Sequence, residues 1–278
     1  MKTKFFYFIS LLIFIALLFF IPPAFISSEH GNTILTISTF LFGIIAGFYI
    51  VVTTTDYNSI KNILATETAG WIELYHHVSL YDAGAAKKLS GLIDEYVRKT
   101  FDYEIIDYAK STADEFDKIV GLVRFFPFQE TRSSIFENIQ DALEKVITTR
   151  QELTVLGTKT LSVFQWLILF ALAALVIVSL YGLRTGEIFF DIVTVLISSS
   201  IVLILLLIRD LDLYIWNEKT FGYDIFENVL KAVGQLPYYP AESIKKKRVR
   251  PTEKEYRVGT FINFPKSLER KIEIIRGE

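Results

Sequence analysis

Residues 34–52, with the sequence ILTISTFLFGIIAGFYIVV, decide the fold of this chain because they form 19 consecutive positions without a charge. The hydrocarbon core of a bilayer is about 30 Å thick, and about 20 apolar residues in helical form cross it with every backbone group satisfied. Three further runs are similarly apolar, at residues 5–21, 161–183 and 188–208, and Asp191 is the one charged residue among them. The sequence therefore predicts an all-α membrane protein with four transmembrane helices.

The four runs form two pairs, one on each side of a charged central block. This arrangement divides the chain into a first helix pair, a cytoplasmic helical domain, a second helix pair and a cytoplasmic C-terminal tail. The predicted bounds of these segments are 1–54, 55–160, 161–210 and 211–278.

Helical periodicity continues through the central block, which we expect to form a helical stalk. No proline lies between Ile34 and Tyr81, so the second span is expected to run on into the cytoplasm as one helix. Further helices are predicted at 85–108 and 113–126. A last helix begins at Thr131 and is expected to enter the third span as one continuous rod. The tail contains one candidate strand, Glu255–Phe261, without an evident partner.

The distribution of Lys and Arg predicts the orientation. The loop after the first run contains neither residue, and the loop between the last two runs contains only Arg184. Because basic residues close to spans favour the cytoplasmic side, both termini and the central block are predicted to be cytoplasmic. The chain is then a multi-pass protein of the plasma or inner membrane. The first run is aromatic and lacks a small-residue cleavage site, so we expect it to stay as an anchor.

No chemistry-bearing motif accompanies this architecture. The chain has no cysteine, which removes disulfides, thiolate metal sites and thiol catalysis. His76 and His77 are adjacent, so on a helix they point about 100° apart and do not share a metal ion. Phosphate-binding glycine loops, nucleophile elbows and zinc spacings are absent from the sequence. We therefore predict no catalytic residue, no metal and no cofactor, and a protein that is not an enzyme.

Small and aromatic residues in the second span are candidates for function. Gly43 and Gly47 form a G-x-x-x-G step, which lets two helices approach closely, either within the chain or between subunits. Phe40, Ile44 and Phe48 follow at i, i+4 and i+8 and share one helix face. Spacing alone is compatible with a helix face that contacts lipid, packs in the protein core or lines a pore.

Polar residues elsewhere are a second group of candidates. Asp191 lies near the outer end of the fourth span, where a carboxylate either has a function or reaches water. Ser198, Ser199 and Ser200 lie in the middle of that span, where such hydroxyls bond backbone carbonyls or a neighbouring helix.

A basic run in the tail is a candidate for contact with lipid headgroups. It is either a solvated segment or one attracted to anionic lipid. A nucleic-acid partner is not expected, because no recognition fold accompanies the run. Its basic residues are Lys245, Lys246, Lys247, Arg248 and Arg250.

One stretch and several later elements carry a resemblance. Residues 47–53, GFYIVVT, resemble part of the second membrane helix of bestrophins. The order of elements is similar to that of the bestrophin-like membrane proteins of prokaryotes. The later matching elements are Asp56-Tyr57, Trp71-Ile72-Glu73-Leu74-Tyr75, Arg150, Leu211-Asp212 and Phe226-Glu227.

The resemblance implies an oligomeric channel, with anions as the conducted ions. It also implies that Phe40, Ile44 and Phe48 form a narrow hydrophobic neck. Asp56 and Tyr57 stand where the bestrophin pattern has a basic and aromatic cluster, and the calcium-binding acidic cluster of animal bestrophins is not recognisable. The expected partners are the lipid bilayer, further copies of the chain and small inorganic ions. The alternative is a non-conducting membrane scaffold or sensor with a helical cytoplasmic interaction domain.

Overall fold

A computed structural model describes residues 2–103, 107–157, 161–213 and 223–276, and it is mostly helical. Contacts divide the chain into a membrane unit, 1–57 with 160–216, and a polar unit, 58–159 with 217–278. The elements are α1 Lys2–Phe20, α2 Ser28–Tyr81, α3 Ala83–Thr100, α4 Tyr108–Ser111, α5 Ala113–Arg124, a 3₁₀ turn Glu130–Arg132, α6 Ser133–Gly157, α7 Val163–Leu183, α8 Ile188–Asp212, α9 Tyr223–Ala232, β1 Tyr238–Pro240, α10 Ala241–Lys245, β2 Glu255–Phe261 and β3 Arg270–Arg276.

Three of the described helices, α2, α7 and α8, are long and apolar enough to cross a membrane. The apolar part of α1 that the structure describes, Phe8–Phe20, is shorter. The unbroken helix through residues 34–81 is confirmed, because α2 continues from Ser28 to Tyr81.

The membrane unit has two apolar clusters of buried side chains. The larger joins α2, α7 and α8 through Phe42, Ala46, Tyr49, Leu169, Ala173, Val176, Ile201 and Ile208. The smaller joins α1 to α7 and α8 through Phe14, Tyr181 and Val195. The Tyr181 hydroxyl also donates a 2.6 Å hydrogen bond to the carbonyl of Phe14, so α1 packs as part of the bundle.

The carboxyl end of α1 is capped by a buried arginine. Arg184, which follows α7, donates a 2.6 Å hydrogen bond to the carbonyl of Leu18 and a second hydrogen bond to that of Ile21. Its guanidinium also lies 3.5 Å from the carboxylate of Asp191. One side chain therefore satisfies carbonyls that a helix end leaves without an intrahelical partner.

The expected continuous rod from Thr131 into the third span is wrong. Helix α6 ends at Gly157, residues 158–160 lie outside the described ranges, and α7 begins with its own cap at Ser162. Ser162 and Gln165 form a capping box, in which each side chain bonds the other residue's backbone N–H. The Asp212 carboxylate accepts a 2.8 Å bond from the N–H of Leu161, which also favours a new helix start.

The predicted helix at 85–108 is also shorter than expected. Asp82 caps the start of α3 by accepting hydrogen bonds from the N–H groups of Gly84 and Ala85 at 2.7 and 3.0 Å. Helix α3 ends at Thr100 and a separate short helix begins at Tyr108, while 104–106 lie outside the described ranges.

The tail forms a small sheet, so the all-α prediction is wrong for this segment. The strand order is β1-β2-β3, with β1 parallel and β3 antiparallel to β2. The bounds of the predicted strand Glu255–Phe261 are confirmed. Arg257 joins the sheet to α3 through the carboxylate of Asp94 at 2.5 and 3.0 Å, and Arg270 contacts Asp102 at 2.6 Å.

Candidate functional site

The membrane part of α2 has a buried face built from small, aromatic and hydroxyl residues. Ser38, Phe42, Ala46, Tyr49 and Thr53 recur every three or four positions and are all buried. The Thr53 hydroxyl donates a 2.7 Å hydrogen bond to the carbonyl of Tyr49 in the same helix. This face is therefore occupied by packing within one subunit.

The opposite face of α2 is open. The exposed fractions of Phe40, Ile44 and Phe48 are 66, 54 and 61%. A Cβ atom added at Gly43 or Gly47 would meet no described atom outside its own helix within 4 Å. The three neck candidates thus share a face that does not enter the subunit core, and packing within the described part of the subunit does not use the G-x-x-x-G step.

An apolar groove borders the open face. Its volume of about 540 Å³ lies within the range of small-molecule pockets. Helices α2, α7 and α8 all contribute to it, through Leu35, Thr36, Thr39, Phe40, Phe42, Val176, Leu180, Ile197 and Ile201. The membrane unit therefore presents a continuous apolar surface beside Phe40.

The polar residues predicted in the fourth span are not among the residues that line this groove. Ser198 and Ser199 are buried, and their hydroxyls have no hydrogen-bond partner among the described atoms. Ser200 is exposed and bonds the carbonyl of Leu196 at 2.8 Å. Asp191 is close to Arg184, so its position is explained by a local ion pair.

The basic run of the tail is mostly exposed. Lys245 is the last residue of α10, and Lys246 and Lys247 follow it in a turn in which Lys247 has a positive φ of 54°. Arg248 is half-buried and Arg250 is exposed. The structure places these side chains in the polar unit.

A buried carboxylate in the polar unit was not predicted. Glu67 of α2 is fully buried and accepts hydrogen bonds from the hydroxyl of Tyr96 at 2.6 Å and from the hydroxyl of Tyr108. The indole N–H of Trp71, one helical turn further on, lies 3.4 Å from the same carboxylate. Three donors from three parts of the chain therefore converge on one side chain.

Arg150 of α6 completes this network. Its guanidinium donates to the Tyr96 hydroxyl at 2.7 Å, to the Thr112 hydroxyl at 3.1 Å and to the carbonyl of Ala109. It also lies 4.3 Å from the ring centroid of Phe116, within the range of a cation–π contact. The Tyr96 hydroxyl thus accepts from a buried cation and donates to a buried carboxylate.

Burial dominates the electrostatics of this network. It raises the pKa of Glu67, although the hydrogen bonds and Arg150 favour the charged form. The pKa values of Tyr96 and Tyr108 are held well above their usual range by burial and by the charge of Glu67. A signal for Glu67 is present in the sequence, because it lies on the same stripe as the buried residues Ile60, Leu64 and Trp71.

These features define a helical membrane protein with an apolar bundle and a polar, mostly helical unit. The family model of the Bestrophin-like domain matches residues 5–213, so the chain belongs to the bestrophin-like family. None of the functionally curated proteins matches the chain significantly.

Solved structures share this fold. A protein described as a membrane protein aligns with a TM-score of 0.62 and 14% identity, over 82% of this chain and 98% of its own. A variant of a bacterial bestrophin homologue from Klebsiella pneumoniae aligns with a TM-score of 0.60 and 14% identity, over 84% and 100%. Another structure of that homologue gives a TM-score of 0.55 and 14% identity, over 83% and 99%.

Proposed function

We propose that the chain assembles into an oligomeric membrane channel in which the open face of α2 from each subunit lines a narrow apolar neck. One observation supports this proposal above the others. Phe40, Ile44 and Phe48 are exposed on α2, whereas the opposite face of the same segment is filled by subunit packing. Membership of the bestrophin-like family supports a membrane channel at the level of the family.

Assembly follows from the size of the subunit and from its small residues. In the described part of one subunit, buried side chains fill the space between α2, α7 and α8. Gly43 and Gly47 lie on the open face, where a neighbouring helix would approach closely. We therefore assign the G-x-x-x-G step to contact between subunits.

The proposed topology has four spans, with α1 as the first, and both termini in the cytoplasm. The first helix packs on the bundle through Phe14, as expected for a retained anchor. The polar unit, with its buried ionic network, would then lie in the cytoplasm at a plasma or inner membrane.

The proposed neck controls the passage of small inorganic ions by its width and by the exclusion of water from it. A ring of aromatic and aliphatic side chains gates by dewetting, since removing the hydration shell of an ion is costly. Anions are the ions that the bestrophin resemblance implies. Asp56 and Tyr57 do not supply the basic charge of the bestrophin pattern, so ion substitution is needed to establish the selectivity.

Ion flux from liposomes tests the proposal. We expect F40A/I44A/F48A to raise the flux above that of the wild type, because three large side chains leave the neck. The matched control is L167A/F170A/L175A, which truncates three exposed apolar residues of α7 and should leave flux unchanged.

Two outcomes would contradict the channel. Equal flux increases in both triple variants would indicate general leakage rather than a neck. No flux from wild type or variant, with folded and inserted protein, would favour the scaffold or sensor function instead.

A further inference from the structure

The end of the tail carries a strong excess of positive charge. Residues 241–276 contain eleven basic and five acidic side chains. Four of the five carboxylates already have basic partners at 2.6–2.9 Å, namely Glu242, Glu253, Glu255 and Glu273. Lys245, Lys246 and Lys247 are exposed and have no ion pair among the described residues. Their charge is therefore available to an external anion.

The loop between β2 and β3 presents apolar side chains to solvent. Ile262, Phe264 and Leu268 are all exposed, Phe264 with 64% of its surface. The loop is ordered by a 3.0 Å backbone bond from Ile262 N–H to the Glu269 carbonyl. Phe264 also stacks on Phe261, with ring centroids 4.9 Å apart. The exposure of these side chains is thus built into a defined turn.

Arg270 brings the lysines and this turn to the same end of the sheet. It pairs with Phe261 in the strand register, next to the turn. Its guanidinium also contacts the carboxylate of Glu242 at 2.9 Å. Glu242 and Lys245 belong to the same five-residue helix, so they are separated by about 4.5 Å along its axis.

We propose that this tail surface, Lys245–Lys247 with Ile262, Phe264, Lys266 and Leu268, binds the anionic phospholipid bilayer into which the chain is inserted. Lysine side chains contact lipid phosphates, while the aromatic and aliphatic side chains enter the boundary between headgroups and acyl chains. The inference rests on the proposed cytoplasmic location of the tail, and it goes beyond the proposed channel.

Charge favours a bilayer over other occupants. Around the turn, Glu269 is the acidic side chain that lacks an ion pair within the described ranges, whereas Lys266 adds to the positive charge. Apolar and basic groups side by side match an anionic lipid surface, which offers both phosphates and hydrocarbon. The tail surface also lies outside residues 5–213, the part matched by the family model.

The absence of cysteine allows a clean test with the full chain. F264C carries an environment-sensitive fluorophore, and the protein is placed in nanodiscs of phosphatidylglycerol with brominated acyl chains or of the matching phosphatidylcholine. We expect bromine quenching in the anionic discs alone, and its loss at about 1 M salt, where the Debye length is about 3 Å. The label control is S79C, an exposed site of the same unit.

A variant that removes the lysine charges is the second part of the quenching experiment. K245Q/K246Q/K247Q in the F264C background should lower the ratio of bound to unbound tail roughly a hundredfold, about fivefold for each lysine. The matched control, K87Q/K88Q/K110Q, removes three exposed lysines from α3 and α4 and should change nothing.

Three results would overturn the inference: equal quenching in both lipids, equal effects of the two lysine variants, or no quenching at all. Fluorophore self-quenching that falls when labelled protein is diluted with unlabelled protein would instead assign the surface to a second copy of the chain. None of these readouts uses ion flux, so failure of the channel proposal and failure of this one are distinguishable.

Discussion

The two parts of helix α2 bury their side chains in the same pattern, but their exposed faces differ in chemistry. In the membrane unit the buried stripe includes Phe42 and Ala46, and exposed Phe48 on the other face is equally apolar. In the polar unit the buried stripe includes Glu67 and Trp71, and the other face is polar.

The difference between the two parts of α2 shows where the polarity of a residue predicts whether its side chain is buried. In water the apolar face of a helix turns inward, so the stripe can be recognised from sequence. Lipid chains are as apolar as a protein core, and packing rather than hydrophobicity decides which face is buried. Exposed residues of the first part of α2 are therefore as apolar as buried ones, while the second part buries one carboxylate, Glu67, and exposes Lys61 and Glu73.

The largest expected effect comes from removing the cation of the polar unit. Arg150→Ala leaves Glu67 buried without its nearest cation and removes three hydrogen bonds. Breaking a buried ionic network costs about 3–5 kcal/mol of unfolding free energy. Thermal unfolding in detergent measures the loss. Lys87→Ala, at an exposed site of α3, should stay within about 0.5 kcal/mol, and equal effects would contradict a structural role for the network.

A pair of phenylalanines two positions apart tests the membrane part. Phe42→Ala opens a cavity in the core and should lower the unfolding temperature. The cost should be below the roughly 3–5 kcal/mol of a water-soluble core, since lipid is as apolar as the site that the ring leaves. Phe40→Ala removes an exposed ring and should leave subunit unfolding nearly unchanged. The comparison fails if Phe40→Ala is the more destabilising change.

Glu67→Gln tests the buried carboxylate of the polar part of α2 through the pH dependence of unfolding. Burial raises the folded-state pKa of Glu67 above the ordinary 4.5, so protonation of this carboxylate stabilises the folded state. The stabilisation is fully present below the ordinary pKa and is lost as the pH rises through the folded-state pKa. We expect the unfolding free energy of wild type, relative to the variant, to increase as pH falls from 7. At neutral pH the variant should lose about 1–3 kcal/mol through mismatched hydrogen bonds. Unfolding curves of wild type and variant at several pH values measure the neutral-pH loss and its pH dependence. A difference in unfolding free energy that stays constant with pH would contradict the titration of Glu67.

The smallest effect is expected at the open face. Gly43→Val and Gly47→Val should weaken association of subunits by about 1 kcal/mol, as mild overpacking does, while each subunit stays stable. Gly182→Val is the contrasting variant, because its Cβ would lie 2.4 Å from Ile26 within the same chain. Light scattering in detergent reports the oligomer, and unchanged assembly in both open-face variants would argue against the proposed contact.

Length and the scarcity of charge were sufficient to predict the apolar parts of α2, α7 and α8, because the bilayer imposes both. The strand Glu255–Phe261 was predicted from alternation, but its partners were not. β1 has only three residues and contains Pro240, a residue that strands normally avoid.

Features that depend on distant residues were missed. The start of α7 has a local signal in its capping box, Ser162 with Gln165, but the hydrogen bond from Leu161 to Asp212 joins positions about 50 residues apart and could not be predicted. Glu67 lies on an apolar stripe, but its partners Tyr96, Tyr108 and Arg150 meet it only through tertiary packing. The choice between the two faces of α2 required the positions of α7 and α8.

The cap of α1 also has a consequence for the order of events during synthesis. Leu18 and Ile21 are made early, yet the arginine that satisfies their carbonyls is residue 184. At about 5–20 residues per second, the roughly 160 intervening positions take about 8–30 s to translate. The carboxyl end of α1 therefore lacks this partner until Arg184 has been made, and in the proposed topology water at the membrane surface satisfies its carbonyls until then.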